Sequence, residues 1–210
     1  MFKDRADAGR QLAEKLASLK GEDAVVYALP RGGVVLGAEI ARAISAPLDL
    51  VITRKIGHPH NHEYAVCAVS ESGELLCNEY EQNTLDPSWL SREAEAEKQE
   101  ALRRRKTYLG GKLSLSAEGK TAIVVDDGVA TGLTIRLAIR EIRKQKPARI
   151  IVAIPVVSQD IAQILKKEAD EIVALEAGAD FLGAVGAYYE TFPQVSDEEV
   201  VTILNAHSSF

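Results

Sequence analysis

"TAIVVDDGVATGLT", residues 121–134, opens as an apolar run, meets adjacent carboxylates at Asp126 and Asp127, and continues in small residues and hydroxyls. An apolar run bounded by Asp-Gly reads as a buried strand with its exit turn. The amphipathic "TIRLAIREIRKQ" that follows reads as a helix. Gly128 and Gly132 let the backbone turn and come close to a ligand. The helix beginning near Thr134 points free N–H groups and a positive dipole end at that loop. Thr131 and Thr134 add hydroxyl donors. The arrangement suits a phosphate dianion, and it is not a Walker loop, because the Gly-Lys-Ser/Thr ending is missing.

The carboxylates beside this anion cradle need their own explanation. Two acids at one strand tip repel, which leaves one protonated. They can instead accept hydrogen bonds from hydroxyls, or face a divalent metal that offsets their charge. A sugar diol next to a phosphate meets both halves of the pattern. Asp126 and Asp127 would take ribose hydroxyls, while the residues from Gly128 through Val129, Ala130, Thr131, Gly132 and Leu133 to Thr134 hold the 5′-phosphate. An ordinary strand followed by an Asp-Gly turn accounts for "DDG" alone and not for the whole stretch.

Outward from this point, apolar runs and amphipathic stretches alternate. "AVVYAL" (24–29) ends in "PRGG" as a strand and sharp turn; "VVLGAEIARAI" reads as a helix and "LDLVITRK" as the next strand. After residue 134 come "RIIVAIPVV" as a strand, "QDIAQILKKE" as a helix and "EIVALEA" as a strand. The pattern predicts an α/β fold, a doubly wound, mostly parallel sheet of five strands. Residues 4–19 place Ala8, Leu12, Leu16 and Leu19 on one helical face. Ser196 and Glu199 have capping-box spacing before a last helix. In the middle, "AVCAVSESGELLCN" (65–78) reads as a hairpin, followed by a charged helix capped by Asp86 with Pro87 in its first turn. Open sheets of this kind bind ligands beyond the carboxyl ends of their strands. "LPRGG", "TRK" and "DDGVATG" all fall there.

"IVVDDGVATGLT" resembles the phosphoribosyl pyrophosphate motif of type I phosphoribosyltransferases, and the resemblance extends over most of residues 24–176. "PRGG", "RKIG" and "GAVGAYYETF" bring it nearest a bacterial branch of predicted phosphoribosyltransferases. The resemblance implies that Asp126 and Asp127 hold ribose hydroxyls and that Val129 to Thr134 wrap the 5′-phosphate. It implies that Pro30, Arg31, Gly32 and Gly33 hold pyrophosphate together with Arg54 and Lys55. It also implies magnesium, carried mainly by the substrate's phosphates and touched at most indirectly by Asp126 and Asp127. Residues 56–118 take the place of the family's mobile loop, and a small hood follows at about 177–210, around a core of about 20–176 in one domain. The 6-oxopurine branch has an Asp immediately before Thr-Gly; here Ala130 stands there, which argues against hypoxanthine or guanine as acceptor.

Phe181, Val185, Tyr188 and Tyr189 form a candidate apolar slot for a planar base. Glu63 is a candidate general acid or base. "RRRK" (103–106) could reach the pyrophosphate or be a solvated helical face. His58, His60 and His62 alternate, but Pro59 breaks the regularity and no second ligand cluster lies near, so a structural metal is not expected.

Of 210 residues, 46% are hydrophobic and 27% charged, and the net charge is −6. That charge argues against broad nucleic-acid binding. No run approaches the roughly 20 apolar residues of a membrane span, and the start lacks a signal peptide's apolar core. Cys67 and Cys77 match no metal spacing and are expected as reduced thiols in a cytoplasmic protein. The expected activity is transfer of 5-phosphoribosyl from phosphoribosyl pyrophosphate to an unidentified nitrogenous base, in a chain that could form a homodimer. The alternatives are a non-catalytic sensor of phosphoribosyl pyrophosphate and a hydrolase acting on it.

Overall fold

Five apolar runs, each too short for a helix, lie side by side in one parallel sheet. The computed structural model describes residues 1–178 and 181–207, with Glu63 described by its backbone only. The candidate acid or base Glu63 and positions 179–180 and 208–210 of the expected hood therefore fall outside the described side chains. In chain order the elements are α1 (Arg5–Lys15), β1 (Ala24–Ala28), α2 (Gly32–Ile44), β2 (Leu48–Leu50), β3 (Thr53–His58), β4 (Asn61–Ser70) and β5 (Leu75–Cys77). The one-turn α3 (Glu79–Gln82), α4 (Pro87–Leu109), β6 (Thr121–Val125), α5 (Leu133–Arg143) and β7 (Arg149–Ser158) follow. The last are α6 (Gln159–Glu168), β8 (Glu171–Gly178) and α7 (Asp197–His207).

The main sheet has the order β2-β1-β6-β7-β8, all parallel. Alternate residues of each strand feed two cores. Val25, Tyr27, Val124 and Val152 pack against Ile135, Ile139 and Ile142 of α5 and Leu165 of α6. Val26, Ile123, Val125 and Ile151 pack against Leu12 of α1 and Leu36, Ile40 and Ile44 of α2. Helices thus cover opposite faces on either side of β1 and β6, and the order of strands reverses between those two. Such a reversal opens a crevice at the carboxyl ends of the neighbouring strands, where doubly wound sheets bind ligands.

Local signals act where the sequence places them. The Asp86 carboxylate accepts from Ser88 and Trp89 N–H, with Pro87 opening the 23-residue α4. Ser196 N–H donates to Glu199 Oε2 at 2.7 Å and Glu199 N–H returns to Ser196 Oγ at 3.1 Å. The expected first helix ends at Lys15 and a short turn covers residues 17–19, yet Ala8, Leu12, Leu16 and Leu19 are all buried.

Two expectations need correction. "LDLVITRK" is not one strand. β2 pairs with β1 from Leu48 to Leu50, which lies opposite Ala28, the last residue of β1, and Val51 N–H makes the last bond to β1, to the Ala28 carbonyl at 3.1 Å. Beyond it the backbone needs new partners, and β3 finds them in β4, the middle strand of a separate antiparallel sheet ordered β3-β4-β5. The two cysteines are also not free thiols: Cys67 and Cys77 are directly paired across β4 and β5 and form a disulfide. The expected hairpin therefore exists, joined by a third strand and a covalent link.

Candidate active site

Neighbouring strands β1 and β6 end in register, Ala28 opposite Val125. Their exit loops must therefore meet. Leu29 N–H donates to the Val125 carbonyl at 2.9 Å, and from there the chain turns into α2 with no room for side chains. A Cβ on Gly33 would lie 2.7 Å from the Val125 oxygen, and one on Gly32 only 1.8 Å from Asp127 Oδ2. These glycines are required by close approach, so the "PRGG" loop is packed directly onto the acid pair.

The loop after β6 is fixed on its other side. Val129 N–H donates to the Val156 carbonyl of β7 at 2.9 Å. Gly132 has φ +78° and caps α5, whose first turn carries no side-chain cap. The unpaired N–H groups of that turn are directed at the loop. Thr131 is exposed there, and the Thr134 carbonyl accepts from Thr53 Oγ1 at 3.2 Å.

Asp126 and Asp127 sit half-buried between the two loops. Asp127 N–H donates to Asp126 Oδ1 at 2.9 Å. Burial pushes the Asp126 carboxyl well above the usual carboxylate range, and the Asp127 charge adds to the shift. Asp127 has a different neighbour: Arg5 Nε donates to its Oδ2 at 2.7 Å. Its backbone carbonyl accepts from Tyr189 Oη at 2.6 Å. Burial first, then the Asp127 charge, raises the Tyr189 hydroxyl above the ordinary phenol range. The two acids are therefore unequal.

The cations expected at the pyrophosphate end divide. Arg31 leads into α2 and lies 3.6 Å from Asp197 at the start of α7. Arg54 and Lys55 are consecutive on β3, and consecutive strand residues face opposite sides. Arg54 turns to α4, with Nε 2.7 Å from Glu97 Oε2. Lys55 shares the other side with Thr53, which bonds Thr134 in the phosphate loop. The expected base slot divides as well. Val185 covers Gly128 so closely that a Cβ there would lie 2.3 Å from it, and Phe181 meets Tyr188 with ring centroids 5.8 Å apart. Tyr189, in contrast, is core: its ring is buried between Phe2 at 5.4 Å and Phe192 at 4.6 Å.

The sequence matches the phosphoribosyl transferase domain family over residues 2–190. The chain belongs to the phosphoribosyltransferase family. It is 38% identical, over its whole length, to "Putative phosphoribosyl transferase Rv0571c" of Mycobacterium tuberculosis. The chain spans about half, 48%, of that relative's length. The crystal structure of the protein TT1426 from Thermus thermophilus is 42% identical, covers 99% of both chains, and superposes with a TM-score of 0.80.

Other charged groups of the chain have structural partners. In α4, Arg103 binds Glu100 and Asp197, Arg104 binds Glu100, and Arg105 binds Glu71, Ser114 and the Leu50 carbonyl. The basic run thus fastens α4 to its surroundings. His58, His60 and His62 mark the β3–β4 tip, where His60 N–H donates to His58 Nδ1 at 3.2 Å. Among the described residues no group of three or more His, Cys, Asp or Glu could hold a metal. Sequence reasoning missed Arg5, Phe192 and Asp197. For Arg5 a signal existed: Asp4 caps α1, which puts a cation in the first helical turn, where the helix dipole opposes it.

Proposed function

We propose that the chain transfers the 5-phosphoribosyl group of phosphoribosyl pyrophosphate to the nitrogen of a base or related nucleophile, releasing pyrophosphate. One observation carries this: an uncapped helix start behind a glycine loop, directly beside a carboxyl pair, at the crevice between β1 and β6. The loop from Gly128 to Thr134 would take the 5′-phosphate, and Asp126 and Asp127 the ribose hydroxyls. The "PRGG" loop would take the pyrophosphate through its backbone, with Arg31 and Lys55 as cations. The nucleophile's nitrogen forms its bond to the anomeric carbon as the bond to the pyrophosphate oxygen breaks, with inversion. Positive charge grows on the ribose, where the carboxylate field stabilises it, and negative charge grows on the leaving group, where the cations do so.

Magnesium favours few protein ligands. Asp126 and Asp127 already bond Asp127 N–H and Arg5 respectively, so they suit an ion that travels on the donor's phosphates and not a resident one. Such an ion would offset phosphate charge. Phe181, Val185 and Tyr188 would line the acceptor side of a hood, and Ala130 supports an acceptor other than a 6-oxopurine. We take the chain as one such unit, with an adjustable region at about 56–118. Among the described residues no helix is long and apolar enough to cross a membrane. A multiply charged sugar phosphate does not cross a bilayer unaided, which favours a cytoplasmic setting.

A second reading, a sensor that binds the donor without turnover, is favoured by the pairing of Arg31 with Asp197 and Arg54 with Glu97. Calorimetric titration with phosphoribosyl pyrophosphate and magnesium tests the shared site. Asp127→Asn should weaken binding by about 1–3 kcal/mol if the carboxylate accepts ribose hydroxyls. Pyrophosphate release across a panel of bases then separates enzyme from sensor. No donor binding by the folded wild type would sink both.

A further inference from the structure

Three segments far apart in the sequence converge on the guanidinium of Arg5. Arg5, on the first turn of α1, has a side chain only 10% exposed. Its Nε donates to Asp127 Oδ2 at 2.7 Å, and a second nitrogen donates to the Pro193 carbonyl at 2.6 Å. Its guanidinium carbon lies 3.6 Å from the centre of the Phe192 ring. Gly32 completes the enclosure, since a Cβ there would lie 2.9 Å from Arg5 Nε.

This placement is unfavourable on local grounds. A cation in the first turn faces the positive end of the helix dipole, and a cation this buried has lost most of its water. Tail contacts alone do not compensate it, because a carbonyl and a ring offer partial charge only. Asp127 does compensate it, and the pairing engages one of its two carboxylate oxygens, Oδ2. Arg5 is held in turn by the tail, so it cannot swing out to meet a substrate. It acts through Asp127.

We propose that Arg5 is a positioning residue for phosphoribosyl transfer, fixing the Asp127 carboxylate so that its second oxygen meets a ribose hydroxyl. The inference rests on the donor reading given above. It separates two halves of the ligand. The phosphate loop is built from β6, β7 and α5 and does not touch Arg5, whereas the hydroxyl side depends on it.

The test measures ribose 5-phosphate by calorimetry and inorganic phosphate by phosphorus NMR titration, on the wild type, Arg5→Met, Asp127→Asn and the double variant. Arg5→Met should weaken ribose 5-phosphate about tenfold or more, the scale of a charged hydrogen bond, and leave inorganic phosphate within about twofold. In the Asp127→Asn background Arg5→Met should have no further effect, because partners acting as one unit are non-additive. Arg5→Lys, which keeps the charge, should recover part of the loss. If Arg5→Met does not fold, the same cycle run with Arg5→Lys decides the matter. A parallel loss of ribose 5-phosphate and inorganic phosphate would make Arg5 a structural clamp and overturn the proposal, as would an undiminished effect in the Asp127→Asn background. If the wild type binds phosphate but neither ribose 5-phosphate nor phosphoribosyl pyrophosphate, the donor reading itself fails. That outcome is distinct from wild-type binding that Arg5→Met leaves intact, which overturns the positioning role alone.

Discussion

The parallel sheet and the inserted antiparallel sheet are held together by different means. β1 and β6 are buried along their whole length, and both of their faces carry packed helices. β3 has two buried residues of six, Thr53 and Ile56, and β5 one of three, although β4 between them is buried from Ala65 to Ser70. The insertion has a smaller core, Ile56, Val66 and Val69 against Leu85 and Leu90, and adds ion pairs, Arg54 with Glu97 and Arg105 with Glu71, and the Cys67–Cys77 disulfide. The parts of the site that must stay fixed, the acid pair and the glycine loop, grow from the first sheet. Arg54, Lys55 and the histidine tip ride on the second. Regions with fewer buried contacts open more readily, so adjustment on ligand binding belongs to the insertion.

Core truncations should separate the two regions most. Ile123→Ala, in a strand buried on both faces, should cost about 4 kcal/mol. Leu76→Ala, at 8% exposure on a short strand, should fall near 2 kcal/mol, the low end of the range for such truncations. Denaturant melts measure both. Equal costs would mean that the insertion is as well packed as the sheet, and the contrast would fail.

Reduction of the disulfide comes next. Its two cysteines are ten residues apart, and closing so short a loop contributes about 2–3 kcal/mol. The loss should stay local. Hydrogen exchange should quicken in β4 and β5 after reduction while β6 and β7 keep their protection. Global unfolding on reduction would show that the two sheets form one cooperative unit.

Gly32→Ala asks what the fixed region owes to close approach. The new methyl would overlap the Asp127 carboxylate, at a stability cost of about 1–3 kcal/mol. Affinity for phosphoribosyl pyrophosphate should be lost with little change in inorganic phosphate binding, which separates this variant from a general collapse of the crevice.

Legibility followed the same division. β6 and its loop could be read because one short stretch holds strand, turn and helix start, and α4 and α7 announced themselves through Asp86-Pro87 and Ser196/Glu199. The break at Val51 could not be read. Leu50, Val51 and Ile52 run on without a glycine, proline or polar residue to mark it; the break exists because β1 ends at Ala28 and offers no further ladder partner. Arg5 and Asp127 are 122 positions apart, and local periodicity carries no information about such a pair. The disulfide depended on register: a hairpin was visible, but one residue of slip would have placed the cysteines on opposite faces. Compartment reasoning from two cysteines could not see that pairing.

The smallest effect concerns the charges that fasten α4. Hydrogen bonds from Arg103, then Arg104, push Glu100 down to about 2 from an ordinary 4.5. A shift of that size suggests a strong contribution. However, the Glu100 side chain is 30% exposed and that of Arg103 51%, so water screens both, and pairs of this kind contribute little. The sign follows from the depressed acid. The stability is present above pH 4.5 or so and is lost as pH falls toward 2. Glu100→Gln should therefore melt about 2–3 °C below the wild type at pH 6, and the gap should close by the acid end of that window. A gap that persisted there would place the contribution in packing of the side chain rather than in its charge. α4 would then resemble the parallel sheet, held by contact area, and the contrast would narrow to the disulfide alone.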